Sequence, residues 1–360
     1  VSQSPAHSAV RAPNALHAIR APNAHLAIRA PNWVGDLVMA TPVLHAALVT
    51  PQYTRVSILV RPHLAAVLDD GPLAAHVVAI DGDETELLRR LAPDVALLLS
   101  NSPGAAWRAF RAGVPVRVGS ALSRRGPLLT HRVVPPTRFG RRVPIPTAHL
   151  VRDVAALAGV FAPDLHPRLD FAPTRAERAR AAWRAAGLAD ARVAVCCPGA
   201  AFGAAKLWPP ERFAAALDAL HASHGLVGWL TGAPSEAAIV DAVASACRHP
   251  VRVAPPAERD LSNLKVWVHD AALLLVGDSG PRWYAAAFDV PCVSVMGPNF
   301  PELTATSLER CRVVRVEGLD CSPCLERRCP LVHHACMRTL PVDAVVAAAH
   351  ELLAASSRSA

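Results

Sequence analysis

The sequence predicts an α/β protein made of two doubly wound units, each a parallel sheet covered by helices on both faces. Strand-like apolar runs alternate with helix-like runs along most of the chain. A Pro- and Arg-rich stretch, Ser123 to Pro146, interrupts the first series before a second begins near Val193. At 360 residues the chain is long enough for two full cores.

In chain order, Arg11-Ala12-Pro13-Asn14, Arg20-Ala21-Pro22-Asn23 and Arg29-Ala30-Pro31-Asn32 form a repeat spaced nine apart. Solenoid units need about 20–50 residues, so this reads as a tandem duplication. Residues 1–22 are expected to be a loosely attached extension. Only the third copy continues into Trp33-Val34-Gly35-Asp36-Leu37, so Leu26-Ala27-Ile28 is the first strand and Leu37–Leu48 the first helix. Strands follow at Val56–Val60, His76–Ile80, Asp94–Leu99 and Val114–Val118, with helices such as Glu84–Leu91 and Ala105–Arg111 between them. This series is expected to be a domain over 23–170. Helical runs at Leu150–Gly159 and Arg175–Ala186 lead to strands at Val193, Leu226, Val251, Ala272 and Cys292. Helices at Glu211, Ser235 and Arg282 separate several of these, giving a second domain over 171–340 and a C-terminal helix over 341–360.

Composition narrows the function. Hydrophobic content of 52% with 18% charged residues describes a soluble globular chain. No run reaches the roughly 18 apolar residues of a spanning helix, and no secretory signal opens the chain, so a cytoplasmic location is expected. The net charge of +8, carried almost wholly by Arg, favours an anionic partner: a phosphorylated glycolipid, a nucleotide or an acidic membrane surface. Aromatic residues are sparse and no nucleic-acid-binding motif occurs, so no nucleic-acid partner is expected.

Three stretches carry chemistry. Cys197-Pro198-Gly199-Ala200-Ala201-Phe202-Gly203-Ala204-Ala205-Lys206-Leu207-Trp208-Pro209-Pro210 lies between a strand and a Pro-led helix. Its small residues allow backbone N–H groups near an anion, and Lys206, one of only two lysines, adds a point charge. The spacing is not a Walker P-loop, and an ordinary βα turn accounts for it equally well. Gly277-Asp278-Ser279-Gly280-Pro281 repeats the arrangement after a second strand, with the Ser279 and Gly280 amides as anion donors. Gly35-Asp36 sits where the first strand meets the first helix, so Asp36 is either a base for a substrate hydroxyl or an N-cap. No G-x-G-x-x-G fingerprint opens either unit, which weighs against a dehydrogenase.

Two further clusters have weaker readings. Arg124, Arg125, Arg132, Arg138, Arg141 and Arg142 form either a solvated loop or a basic rim for an anionic acceptor. Cys321, Cys324, Cys329 and Cys336, with His333 and His334 among them, suggest a structural metal site or redox-active thiols, although only the first pair has regular ligand spacing. The other five cysteines, Cys196, Cys197, Cys247, Cys292 and Cys311, read as core. Asp81-Gly82-Asp83 reads as a turn.

Pro31-Asn32-Trp33-Val34-Gly35-Asp36, the Pro198–Pro209 loop, Asp278-Ser279-Gly280-Pro281 and Gly297-Pro298 resemble the ADP-heptose:lipopolysaccharide heptosyltransferases of glycosyltransferase family 9, most of all heptosyltransferase II. The stretch Cys321-Ser322-Pro323-Cys324 through Cys336-Met337-Arg338 is similar to a tail in some members. The resemblance implies the GT-B fold, two Rossmann-like domains facing a central cleft. It implies inverting transfer of heptose from ADP-heptose to the inner-core heptose of lipopolysaccharide at the cytoplasmic face of the inner membrane, with no metal or other cofactor required. In that reading Asp36 is the base and Lys206 the catalytic cation. Gly199, Phe202, Gly203, Lys206, Asp278, Ser279 and Gly280 hold the donor diphosphate, Glu236 the ribose, and Trp33, Gly35 and Arg138 the acceptor. Trp283 stands where the family usually has His, Gly277 where it commonly has Asn, and Asp260-Leu261-Ser262-Asn263-Leu264 looks abbreviated. A homologue that is catalytically lapsed or altered in donor is therefore the alternative.

Overall fold

The computed structural model describes residues 23–139 and 141–356. The repeated extension over 1–22 lies outside the described residues. Two compact units emerge, the second beginning at His166, while Glu302–Thr304 group with the first.

The first unit runs β1 (Ala24–Arg29), α1 (Val34–Leu48), β2 (Tyr53–Val60), β3 (Val77–Ala79), α2 (Glu84–Leu91), β4 (Val95–Leu98), α3 (Pro103–Arg111), β5 (Val116–Ser120), β6 (His131–Val133), β7 (Thr137–Arg138), β8 (Arg141–Arg142) and α4 (Thr147–Ala156). Its sheet has the order β3-β2-β1-β4-β5-β6, and every neighbouring pair is parallel. Every residue of β1 is buried, as expected of a central strand covered on both faces. β7 and β8 form a separate antiparallel hairpin within the arginine-rich stretch, which the sequence showed only as a loop.

Helix α1 begins earlier than the sequence suggested. Its N-cap is Trp33, in extended conformation and without a side-chain cap, so Asp36 lies inside the first turn and is not the cap. Pro42 falls inside this helix and cannot donate to the carbonyl of Val38. The Thr41 hydroxyl donates to that oxygen at 2.7 Å and satisfies it instead. Asp83 caps α2 by accepting from the Thr85 N–H at 2.7 Å, which gives the Asp81-Gly82-Asp83 turn a structural use.

The second unit repeats the plan with α5 (Pro173–Ala185), β9 (Val193–Cys197), α6 (Pro210–His224), β10 (Val227–Leu230), α7 (Ala237–Ala246), β11 (Val251–Val253), α8 (Leu261–Asp270), β12 (Leu273–Gly277), α9 (Arg282–Ala287), β13 (Cys292–Val295), β14 (Cys311–Val314), α10 (Ala335–Arg338) and α11 (Val342–Ser356). The sheet order is β11-β10-β9-β12-β13-β14, again parallel throughout. α11 belongs to this unit, since Val345, Ala349, Leu352 and Leu353 share one apolar cluster with Phe213, Leu217, Val293 and Val295. α8 grows from the segment that looked abbreviated. Asp260 caps it by accepting from the Asn263 N–H at 2.6 Å, and it buries Ser262, Asn263 and Lys265, polar residues that hide its helical period.

Among the described residues no helix is long and apolar enough to cross a membrane.

Candidate functional site

In an open parallel sheet, the chains leaving two neighbouring strands at a reversal of strand order diverge and leave a crevice at the carboxyl ends. The first sheet reverses between β1 and β4, the second between β9 and β12. The three stretches singled out in the sequence, which follow β1, β9 and β12, therefore sit at a crevice.

In the first unit that crevice is a cavity of about 270 Å³, lined by Asn32, Trp33 and Asp36 after β1, by Ser100–Ser102 after β4, and by Thr147 and Leu150 of α4. A buried network shapes it. The Arg29 guanidinium donates from Nε to Glu84 Oε1 at 2.8 Å and from Nη2 to Asn32 Oδ1 at 2.8 Å. Asn32 in turn donates to Ser100 Oγ at 3.1 Å, and the Leu99 and Ser100 amides both donate to the Arg29 carbonyl. The turn carrying Trp33 and Asp36 is thus tied to the end of β4. Sequence reasoning missed Arg29, Glu84 and Ser100 because each acts through a partner distant in the chain.

The arginine-rich stretch divides. Arg125 is 1% exposed and donates to the backbone carbonyls of Ser120, Ser100 and Leu98, so it braces the floor of the crevice and is not part of a basic rim. Burial lowers its pKa to about 10. Arg124, Arg132, Arg138 and Arg142 are exposed. Arg138 lies in the β7–β8 hairpin with its guanidinium 5.3 Å from the Phe139 ring centre, and it does not line the cavity.

In the second unit, Cys197 and Val276 are register partners, which brings the Gly199–Lys206 loop beside Gly277–Pro281. Lys206 Nζ lies 2.7 Å from Asp278 Oδ2 and donates to the Asp278 carbonyl at 3.3 Å. Both side chains are largely buried, 12% and 8% exposed. Phe202 lies below the ammonium, its ring centre 4.7 Å from Nζ. Glu236 packs directly on Gly199: a Cβ there would sit 2.1 Å from the Glu236 Cδ, so only glycine fits. Glu236 Oε2 accepts the Ala233 N–H at 2.9 Å, and burial raises the carboxyl's pKa. Gly199, Phe202, Gly203, Lys206, Asp278 and Glu236 are thereby gathered at the carboxyl ends of β9, β10 and β12.

The Ser279 amide departs from expectation, because its N–H donates to the Gly277 carbonyl at 2.8 Å and is spent within the turn. Trp283 is buried in α9, with the Arg282 guanidinium 4.6 Å from its ring centre.

The cysteine-rich segment packs onto the same loop. The Arg327 carbonyl accepts the Ala205 N–H at 3.0 Å, and the Ala205 carbonyl lies 2.8 Å from His334 Nε2. Cys321, Cys324, Cys329 and Cys336 line one small cavity with His333 and His334. Among the described residues, however, no group of three or more His, Cys, Asp or Glu side chains is arranged to hold a metal ion. Cys196, Cys197, Cys292 and Cys311 are buried and Cys247 half-buried, consistent with packing.

The model of glycosyltransferase family 9 (heptosyltransferase) matches residues 85–335, well over half of the chain. The chain belongs to this family. A family relative, the lipooligosaccharide heptosyltransferase 2 of Campylobacter jejuni subsp. jejuni, is 29% identical over 163 residues, covering 43% of this chain and 49% of the relative. The matched stretch thus spans about half the length of that relative. Among solved structures, a family 9 glycosyl transferase from Veillonella parvula superposes with a TM-score of 0.73 at 18% identity, over 93% of this chain and 99% of that one. The E. coli ADP-heptose lps heptosyltransferase II gives 0.71 at 21% identity, with the same coverages. The GT-B class expected from the sequence, with its two Rossmann-like units, agrees with these folds.

Proposed function

We propose that this protein is an inverting heptosyltransferase that moves heptose from ADP-heptose to the inner-core heptose of lipopolysaccharide, working at the cytoplasmic face of the inner membrane. The observation that carries this reading is the pair of crevices at the two strand-order reversals, one holding Asp36 and the other the Lys206 loop. The acceptor sugar occupies the cavity beside Trp33 and Gly35, and Asp36 takes the proton of its hydroxyl as that oxygen attacks the anomeric carbon. The bond from that carbon to the diphosphate breaks and ADP departs with the electron pair. Lys206 and the loop amides meet the growing negative charge, while Glu236 accepts hydrogen bonds from the ribose hydroxyls. Asp278 serves as the counter-ion that aims Lys206. Exposed Arg138 offers an anionic acceptor a contact outside the cavity. The second reading, a homologue that binds nucleotide sugar without transfer, draws on the spent Ser279 amide and on buried Trp283 in place of His.

The test is a transfer assay with ADP-heptose and a heptose-terminated core acceptor, with ADP binding followed by calorimetry. Asp36→Asn should lower kcat by about 10²–10⁴-fold and leave ADP affinity unchanged, the span expected for loss of a general base. Turnover within a few-fold of wild type would remove Asp36 from the chemistry. Tight ADP binding by the wild type without transfer to any acceptor would establish the second reading.

A further inference from the structure

The two cations closest to Phe202 are in different states. Lys206 is paired with Asp278, which partly offsets its charge toward an incoming diphosphate. Arg327 is exposed, its guanidinium carbon lies 5.2 Å from the centre of the same Phe202 ring, and among the described residues it has no carboxylate partner. Its backbone is fixed on the loop by the bond from the Ala205 N–H. Gly203 has φ +152°, and a Cβ there would sit 2.4 Å from the Arg327 carbonyl oxygen, so the absence of a side chain is what lets the two segments meet. A cation is therefore delivered to the Lys206 loop by a segment more than a hundred residues later in the chain.

We infer that Arg327 is a direct ligand of the donor's diphosphate, adding an uncompensated positive charge beside Lys206, whose own charge is partly offset by Asp278. The inference rests on the reading of the Lys206 loop as the donor seat. A guanidinium suits the task, because its planar fork donates two parallel hydrogen bonds to phosphate oxygens while its face stays stacked on an aromatic ring. Arg327 enters from the cysteine-lined turn, between Cys324 and Cys329, so that turn acts as the arm presenting it. The ligand class is a diphosphate ester, recognised through its phosphates and not through its base.

The experiment is calorimetric titration of the full chain with inorganic pyrophosphate, ADP, GDP, UDP and adenosine, for wild type, Arg327→Ala and Arg327→Gln. The glutamine variant keeps a planar polar head on a shorter, uncharged side chain and leaves the backbone contacts in place, and a thermal melt confirms that each variant is folded. Both substitutions should weaken pyrophosphate and ADP by about tenfold to a hundredfold, the scale of a charge-assisted hydrogen bond, and leave adenosine unchanged. Pyrophosphate affinity unaltered in both folded variants would overturn the inference while leaving the donor reading intact. If the wild type binds pyrophosphate and loses it on substitution, yet prefers another nucleotide to ADP, the donor assignment fails and Arg327 keeps its role. Equal losses for adenosine and ADP would mean that Arg327 only packs against Phe202, and that too would overturn it.

Discussion

Gly199 and Glu236 compete for one small volume, and that makes their pairing testable. Gly199→Ala places a methyl group against the Glu236 carboxyl and should destabilise the chain by about 1–3 kcal/mol, as overpacking does. Adding Glu236→Ala should restore much of that stability, read by denaturant melts, because the clash is with a side chain. Gly203→Ala should have no such rescue, since its obstacle is the Arg327 backbone. The raised pKa of Glu236 also has a sign. A carboxyl whose folded pKa lies above the ordinary value takes up its proton early as pH falls, and its preference for the neutral form is lost as stability when pH rises through that window. The ionised form is the better acceptor for ribose hydroxyls, so adenosine affinity should fall as pH drops through the raised pKa, and Glu236→Gln should flatten the profile. A flat wild-type profile would detach Glu236 from the ribose.

At the level of elements, the turn between β1 and α1 is held by charge. Arg29 and Glu84 are each 3% exposed and pair at 2.8 Å, with Arg108 3.6 Å from the other Glu84 oxygen. Replacing one member strands a buried charge, so Arg29→Met should cost about 3–5 kcal/mol, whereas Arg29→Met with Glu84→Leu should recover most of it. Urea titration of the three variants checks this. α8 offers a smaller effect: Asp260→Ala removes its cap and should cost about 1 kcal/mol. In the sequence, Arg29 was visible only as the first letter of a repeat, and α8 only as a shortened loop. A buried ion pair and a buried polar helix face leave no periodic signal, because their partners come from elsewhere in the chain.

At the scale of the molecule, each unit has its own sheet and its own apolar cluster, and every proposed donor residue lies in the second. A chain beginning at His166 should fold cooperatively and bind ADP about as tightly as the full protein, without transferring heptose. Circular dichroism and calorimetry check both parts; a chain that stays unfolded would show that the second core needs the first unit.

Sequence alone determined the doubly wound class, because central parallel strands such as Leu273–Gly277 read as continuous apolar runs followed by small-residue turns. It also put Asp36 in the turn after β1 and Lys206 in the loop after β9, since a strand followed by a small-residue turn and a helix start is a local pattern. Tertiary structure decided the rest. Arg125 lies in the floor of a crevice and Arg138 on an exposed hairpin, although both come from one basic run, because burial depends on which carbonyls the fold brings within reach. Asp278 became the partner of Lys206 and the Ser279 amide closed its own turn, outcomes set by how β9 and β12 align. Arg327 met the Lys206 loop only because the loop after β9 and the cysteine-lined turn, far apart in sequence, meet over Gly203.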